Sequence, residues 1–201
     1  MSSAWTPAVI ASVVEGHGEV YALPKLLHRI ASEFGTPLIT PKPPMRRPRS
    51  KLVAPGGIEN AVEAKASEIT GTGGVLVLVD ADDSCPAELG PQLLARACEA
   101  RPDKRVSVVL AKKEFEAWLL AAASSIAGYQ GLPPGFTFPG DPEAVRDAKG
   151  QLSRARTDGH PYSPTVDQAP LVSVLDVTTA RDNSPSFDKF CRDVAWLLGA
   201  S

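Results

Sequence analysis

The run Val75-Leu76-Val77-Leu78-Val79 is an unbroken series of branched aliphatic side chains that leads straight into Asp80-Ala81-Asp82-Asp83. A strand that is apolar on both faces belongs inside a sheet with helices above and below, the environment of buried parallel strands. The acids arrive where such a strand leaves the sheet. If strand geometry persists through them, the period of two puts Asp80 and Asp82 on one face, close enough to share a divalent cation. The same residues also read as the opening of a turn before the next helix.

The flanking sequence repeats the pattern. Ala8–Val14 is a β-branched apolar run that ends at Glu15, and Gly16 and Gly18 supply a tight turn into a helix with Val20, Leu23, Leu27, Ile30 and Phe34 at helical spacing. The Gly-x-Gly suggests a dinucleotide loop, but the third glycine is missing and Glu15 and Glu19 flank the place of the phosphate. Ile58 to Ile69 predicts an amphipathic helix closed by Gly71-Thr72-Gly73-Gly74, and Pro86 opens another that carries Leu89, Leu93, Leu94 and Ala97. Arg105–Ala111 is a further buried strand, followed by a helix with Phe115, Trp118, Leu119, Ala122 and Ile126 on its apolar stripe. Strands alternating with helices predict a Rossmann-like α/β fold, a mostly parallel sheet with helices on both faces.

Residues 128–201 predict a helical extension packed on that sheet. A Gly/Pro-rich loop over 128–142 precedes a polar helix around Glu143 to Arg156, a second near Val166 to Leu175, and a last one from Ser184-Pro185 with Phe187, Phe190, Val194 and Leu197 on one stripe. The chain of 201 residues reads as a single domain, 1–127 core and 128–201 extension. Its three cysteines are widely spaced and form neither a disulfide framework nor a zinc site, and the net charge of −2 leaves any polyanion to be gripped locally. Neither a signal peptide nor an apolar run of about 18 residues is evident, which predicts a cytoplasmic location and no membrane association.

A parallel sheet delivers the C-terminal ends of its strands to one edge, so Glu15, Asp80 with Asp82, and Glu114 with Glu116 are expected to converge there. Carboxylates packed together raise one another's pKa unless a metal or basic groups intervene, and oxygen-only ligands suit Mg²⁺ or Mn²⁺. Between Gly35 and Pro55, prolines alternate with Lys42, Arg46, Arg47, Arg49 and Lys51. Pro37-Leu38-Ile39-Thr40 and Lys51-Leu52-Val53 are candidate short strands, and the basic residues fit either a phosphate-tracking patch or a solvated loop. Lys112 and Lys113 lie near enough to the acidic edge to contact phosphate. Lys149, Arg154, Arg156, Tyr162 and Arg181 are in reach of nucleic acid or are ordinary surface.

The glutamate and glycine ending the first strand (Glu15-Gly16) and the Asp80-Ala81-Asp82 ending a later one resemble the TOPRIM domain of topoisomerases, primases and OLD-type nucleases. Val14-Glu15-Gly16-His17-Gly18-Glu19, Glu114-Phe115-Glu116-Ala117-Trp118-Leu119 and Ser184-Pro185-Ser186-Phe187 further resemble an uncharacterised bacterial family of stand-alone TOPRIM-like proteins, over nearly the whole chain. No tyrosine is placed like a topoisomerase nucleophile, and no primase accessory module is present. The resemblance implies that Asp80 and Asp82 hold Mg²⁺ and that Glu15 coordinates a second cation or serves as general base. Glu19, Asp83, Glu114 and Glu116 are then further ligands or catalytic acids, although Glu19 and Glu116 also read as first-turn helix acids. His17 is a proton shuttle, a phosphate contact or polar filling. The functions implied are a Mg²⁺-dependent nuclease acting on DNA or RNA, or a non-catalytic partner of an ATPase in a bacterial defence or repair system.

Overall fold

Five strands make one sheet: β1 (Ala8–Val14), β2 (Ile39–Pro41), β3 (Met45–Arg46), β4 (Gly73–Asp80) and β5 (Arg105–Ala111). The computed structural model describes residues 7–36 and 38–199. The strand order is β2-β1-β4-β5, with β3 beside the later part of β1, and every pairing is parallel. The protein is thus α/β with a parallel sheet flanked by helices, as its strand and helix alternation predicts. Pro37, at the start of the first expected short strand, and the first residues used to judge a leader lie outside the described residues.

Alternate side chains of β1, β4 and β5 enter opposite cores. Ile10, Val14, Leu76, Leu78 and Val109 face one, and Val9, Val13, Val75, Val77, Val79, Val108 and Leu110 face the other. The second core is closed by α2 (Arg49–Val53), α3 (Gly57–Ala66) and α4 (Pro86–Ala100), through Leu52, Ile58, Val62, Leu93 and Ala97. The first core lies under α1 (His17–Glu33), α5 (Glu116–Ala121), α6 (Ala123–Ile126) and the C-terminal helices α7 (Ala148–Ala155), α8 (Ala169–Val174), α9 (Val177–Asn183) and α10 (Pro185–Leu198). Trp118 anchors this layer. Its ring lies 5.1, 5.2 and 5.0 Å from those of Phe115, Phe187 and Phe190, and its indole N–H donates to Ser186 Oγ at 2.9 Å. The same α10 covers part of the free edge of β5: Ser186 Oγ accepts Lys112 N–H, and Lys189 Nζ donates to the Val108 carbonyl.

Three local expectations are corrected. Lys51-Leu52-Val53 is helical rather than extended, because Leu52 drops into the second core and Arg96 takes the Val53 and Ala54 carbonyls at 2.8 and 2.7 Å. The helix expected through Ile126 breaks at Ala122, where Asn183 Nδ2 donates to the Ala121 carbonyl at 2.9 Å. The polar helix begins at Ala148, not near Glu143, because Asp147 caps it by accepting Gly150 N–H. The sequence pattern also missed α9, which Asp176 caps through Thr179 N–H. Among the described residues no helix is long and apolar enough to cross a membrane.

Candidate metal centre at the carboxyl edge of the sheet

The ends of β1, β4 and β5 are tied together by their acids. Glu15 Oε2 accepts the backbone N–H of Asp80 at 3.3 Å, and Asp80 Oδ1 accepts that of Phe115 at 2.8 Å. Asp80 keeps the strand alternation of Leu76 and Leu78, which sends its side chain toward α1, α5 and the C-terminal helices. Burial raises its pKa well above the ordinary aspartate value; Lys149 opposes the shift, and Glu116, Glu19 and Glu15 add to it. Glu15 is raised for the same first reason, with the Asp80 N–H and Arg49 opposing and Asp82 and Glu19 adding.

Lys149 stands among the acids. Its Nζ is 3.2 Å from Glu116 Oε2, 3.6 Å from Glu114 Oε2 and 3.9 Å from Asp80 Oδ2. Burial acts to lower the pKa of this lysine, but Glu116, Asp80 and Glu114 outweigh it and hold the ammonium above its ordinary value. Glu116 is fully buried. Its Oε1 accepts Tyr162 OH at 3.0 Å and Gln168 Nε2 at 3.2 Å, while Lys149 approaches Oε2 out of hydrogen-bond alignment. Desolvation raises the Glu116 pKa against the pull of Lys149, and burial beside Glu116 raises that of Tyr162. Glu19 is 7 % exposed, and its Oε2 has no hydrogen-bond partner. Glu19 and Glu116 do lie in the first turns of their helices, as expected of helix-dipole acids, but both are buried there.

The shared face expected for Asp80 and Asp82 does not form. The strand ends at Asp80, and Asp82 takes φ 50°, leaving its side chain 58 % exposed and 3.7 Å from Arg49 Nε. The expected ligands consequently divide between two clefts. Glu15, Glu19 and Asp80 line an inner one of about 250 Å³ with His17, Lys149 and Pro164. Asp82, Asp83 and Glu114 line an outer one of about 150 Å³, where Lys113 and Arg146 each approach Asp83 at 3.4 Å.

The glycines of the β1–α1 turn serve packing. A Cβ on Gly18 would lie 2.4 Å from Gln168 Oε1 and 2.8 Å from the Pro164 carbonyl oxygen, so the π-turn Pro164–Gln168 closes over this loop where a dinucleotide phosphate would sit. The basic stretch also divides. Arg46 and Arg47 are exposed, whereas Arg49 turns inward, donating to the Asp80 carbonyl at 3.2 Å and Ser84 Oγ at 2.6 Å. Lys112 is exposed, 3.8 Å from Glu143. Of the other groups considered for nucleic acid, Tyr162 is buried on Glu116, Arg156 joins Asp158 and Asp167, Arg181 joins Asp188, and Arg154 joins Asp147.

The inner cleft suits a hard divalent cation in its donor chemistry, since it offers carboxylate oxygens and the unpartnered Glu19 Oε2. Among the described residues no three His, Cys, Asp or Glu side chains are already grouped to hold one ion. Lys149, Arg49 and backbone N–H groups engage the acids in this arrangement. Lys149 and Tyr162 were expected to reach over this edge toward nucleic acid rather than to pair with its acids, and Gln168 was not expected here at all, since no motif marks any of the three. Only the fold brings them to Glu116.

Comparison with curated proteins and with solved structures finds no match. Residues 14–195 match the family described as "Domain of unknown function (DUF4276)", and the chain belongs to that family.

Proposed function

We propose that the protein is a Mg²⁺- or Mn²⁺-dependent phosphodiester hydrolase acting on nucleic acid, with its reaction centre in the inner cleft. The observation that carries this reading is the meeting of Glu15, Glu19 and Asp80 from β1, α1 and β4 in one cleft, where the Glu19 Oε2 is buried without a partner. Glu19 and Asp80 would hold the ion, which when bound would polarise the phosphodiester and make water acidic. Glu15 is partly exposed with a raised pKa, and accepts the proton of the attacking water as general base. Exposed His17 at the cleft mouth contacts the phosphate or passes that proton outward. Arg46 and Arg47 grip backbone phosphates, and Lys112 and Lys113 do so at the end of β5. The resemblance to TOPRIM nucleases supports the roles of Glu15 and Asp80; the Asp82 it implies as a second ligand lies in the outer cleft instead.

The ion pairs of Lys149 with Asp80, Glu114 and Glu116 favour a second reading, in which this edge is neutralised internally and the protein is a non-catalytic partner of an ATPase. Incubating purified protein with single- and double-stranded DNA and RNA, in Mg²⁺, Mn²⁺ or EDTA, with and without a candidate ATPase, separates the two. The hydrolase reading expects metal-dependent cleavage of at least one substrate that Glu15→Gln abolishes. Cleavage in none of them would reject it.

A further inference from the structure

Lys149 differs from the other cations of the carboxyl edge in what it faces. Lys113 and Arg146 meet the largely exposed Asp83, whose charge water already solvates. The Lys149 ammonium lies instead within 4 Å of acids from β4, the β5–α5 turn and α5, including the fully buried Glu116. It also lines the inner cleft beside Glu15, Glu19 and Asp80, where Glu19, 7 % exposed, leaves its Oε2 buried against Gly16 without a hydrogen-bond partner. Clustered carboxylates that lose water need positive charge nearby. In this arrangement that charge comes from the chain.

We propose that Lys149 is a resident counter-cation that competes with a divalent ion for the inner acids, so that binding the ion requires the ammonium to leave. The inference rests on the metal-dependent reading above and names the group that regulates it. Asp80 is the shared partner, since it faces the ammonium and lines the ion's cleft. The side chain has a way out, because it is 41 % exposed. Its departure does not release the backbone. Lys149 N–H donates separately to Glu114 Oε2 at 3.3 Å, Asp147 caps the start of α7 through Gly150 N–H, and Ala148 and Leu152 stay in the first core. The ammonium thus swings on a fixed helix start, keeping the acids neutralised when no ion is bound and slowing adventitious entry.

The test is Mn²⁺ affinity, measured by calorimetry on the full chain as wild type, Lys149→Met and Lys149→Arg. Competition predicts that Lys149→Met binds Mn²⁺ at least about fivefold more tightly than wild type, the lower end of usual coupling between competing ligands. Lys149→Arg, which keeps the charge, should remain close to wild type. A merely structural lysine would weaken binding when removed. Should Lys149→Met fail to fold, Mg²⁺ titration of wild-type protein with ¹³Cε-labelled lysine must shift the Lys149 signal, assigned by its loss in Lys149→Arg. Unchanged or weaker Mn²⁺ binding by a folded Lys149→Met, or a Lys149 signal indifferent to saturating Mg²⁺, would overturn the inference and leave the metal site standing. Absence of binding by every form would overturn the metal reading itself, and the competition with it.

Discussion

Glu15 at the end of β1 accepts the backbone N–H of Asp80 at the end of β4 across 3.3 Å. The two acids are held in register by the sheet through that contact, and the adjoining loops need not position them. Geometry and charge at Glu15 can therefore be separated by substitution.

Glu15→Gln keeps an oxygen to accept the Asp80 N–H and removes the carboxylate charge. It should leave the thermal melt close to wild type and lower single-turnover cleavage about 10²–10⁴-fold, the range of a lost general base. Nucleic-acid binding should persist, as judged by fluorescence anisotropy in EDTA.

Asp80 carries a pH-dependent cost. Its pKa is raised in the folded chain, so folding favours the protonated acid, and this contribution is present below the ordinary aspartate value of 3.8 and lost as pH rises through the elevated one. Asp80→Asn should accordingly stabilise the metal-free protein at pH 7 by about 1 kcal/mol, within the usual gain from relieving a strained functional site. Urea unfolding across pH should show that gain shrinking as the pH falls toward 3.8.

Tyr162→Phe deletes the hydroxyl that donates to buried Glu116 at 3.0 Å. A hydrogen bond to a charged buried acceptor is worth about 1.5–3 kcal/mol, and a loss of that size is expected in the unfolding free energy, read as a lower denaturant midpoint at unchanged slope. Gly18→Ala should cost about 1–3 kcal/mol by overpacking against Gln168 and the Pro164 carbonyl.

The strand ends were legible in the sequence because Ala8–Val14, Val75–Val79 and Arg105–Ala111 are apolar runs whose acids fall where each run stops. Parallel topology then placed Glu15, Asp80 and Glu114 at one edge. The division of the acids was not legible, since it depends on the positive φ of Asp82 and on Arg49 turning inward, and both follow from tertiary contacts. The pairing of Lys149, Tyr162 and Gln168 with Glu116 was hidden for a related reason: each lies more than 30 residues from Glu116, with nothing local to mark the contact.

The basic stretch gives a prediction that separates its parts. Arg46→Ala with Arg47→Ala removes two exposed cations and should flatten the slope of log affinity against log salt by about 1.8 on duplex DNA, at about 0.9 per phosphate contact. The melt should not change. Arg49→Ala should instead lower stability, because it strips donors from the Asp80 carbonyl and Ser84 and a counter-charge from Asp82.

Calorimetric titration of Mn²⁺ into wild type, Asp80→Asn and Asp83→Asn tests most directly whether the inner cleft is a cation site. Asp80 lines that cleft and Asp83 lines only the outer one, so the account predicts saturable binding to wild type, retained in Asp83→Asn and lost in Asp80→Asn. Identical isotherms for wild type and Asp80→Asn would contradict it.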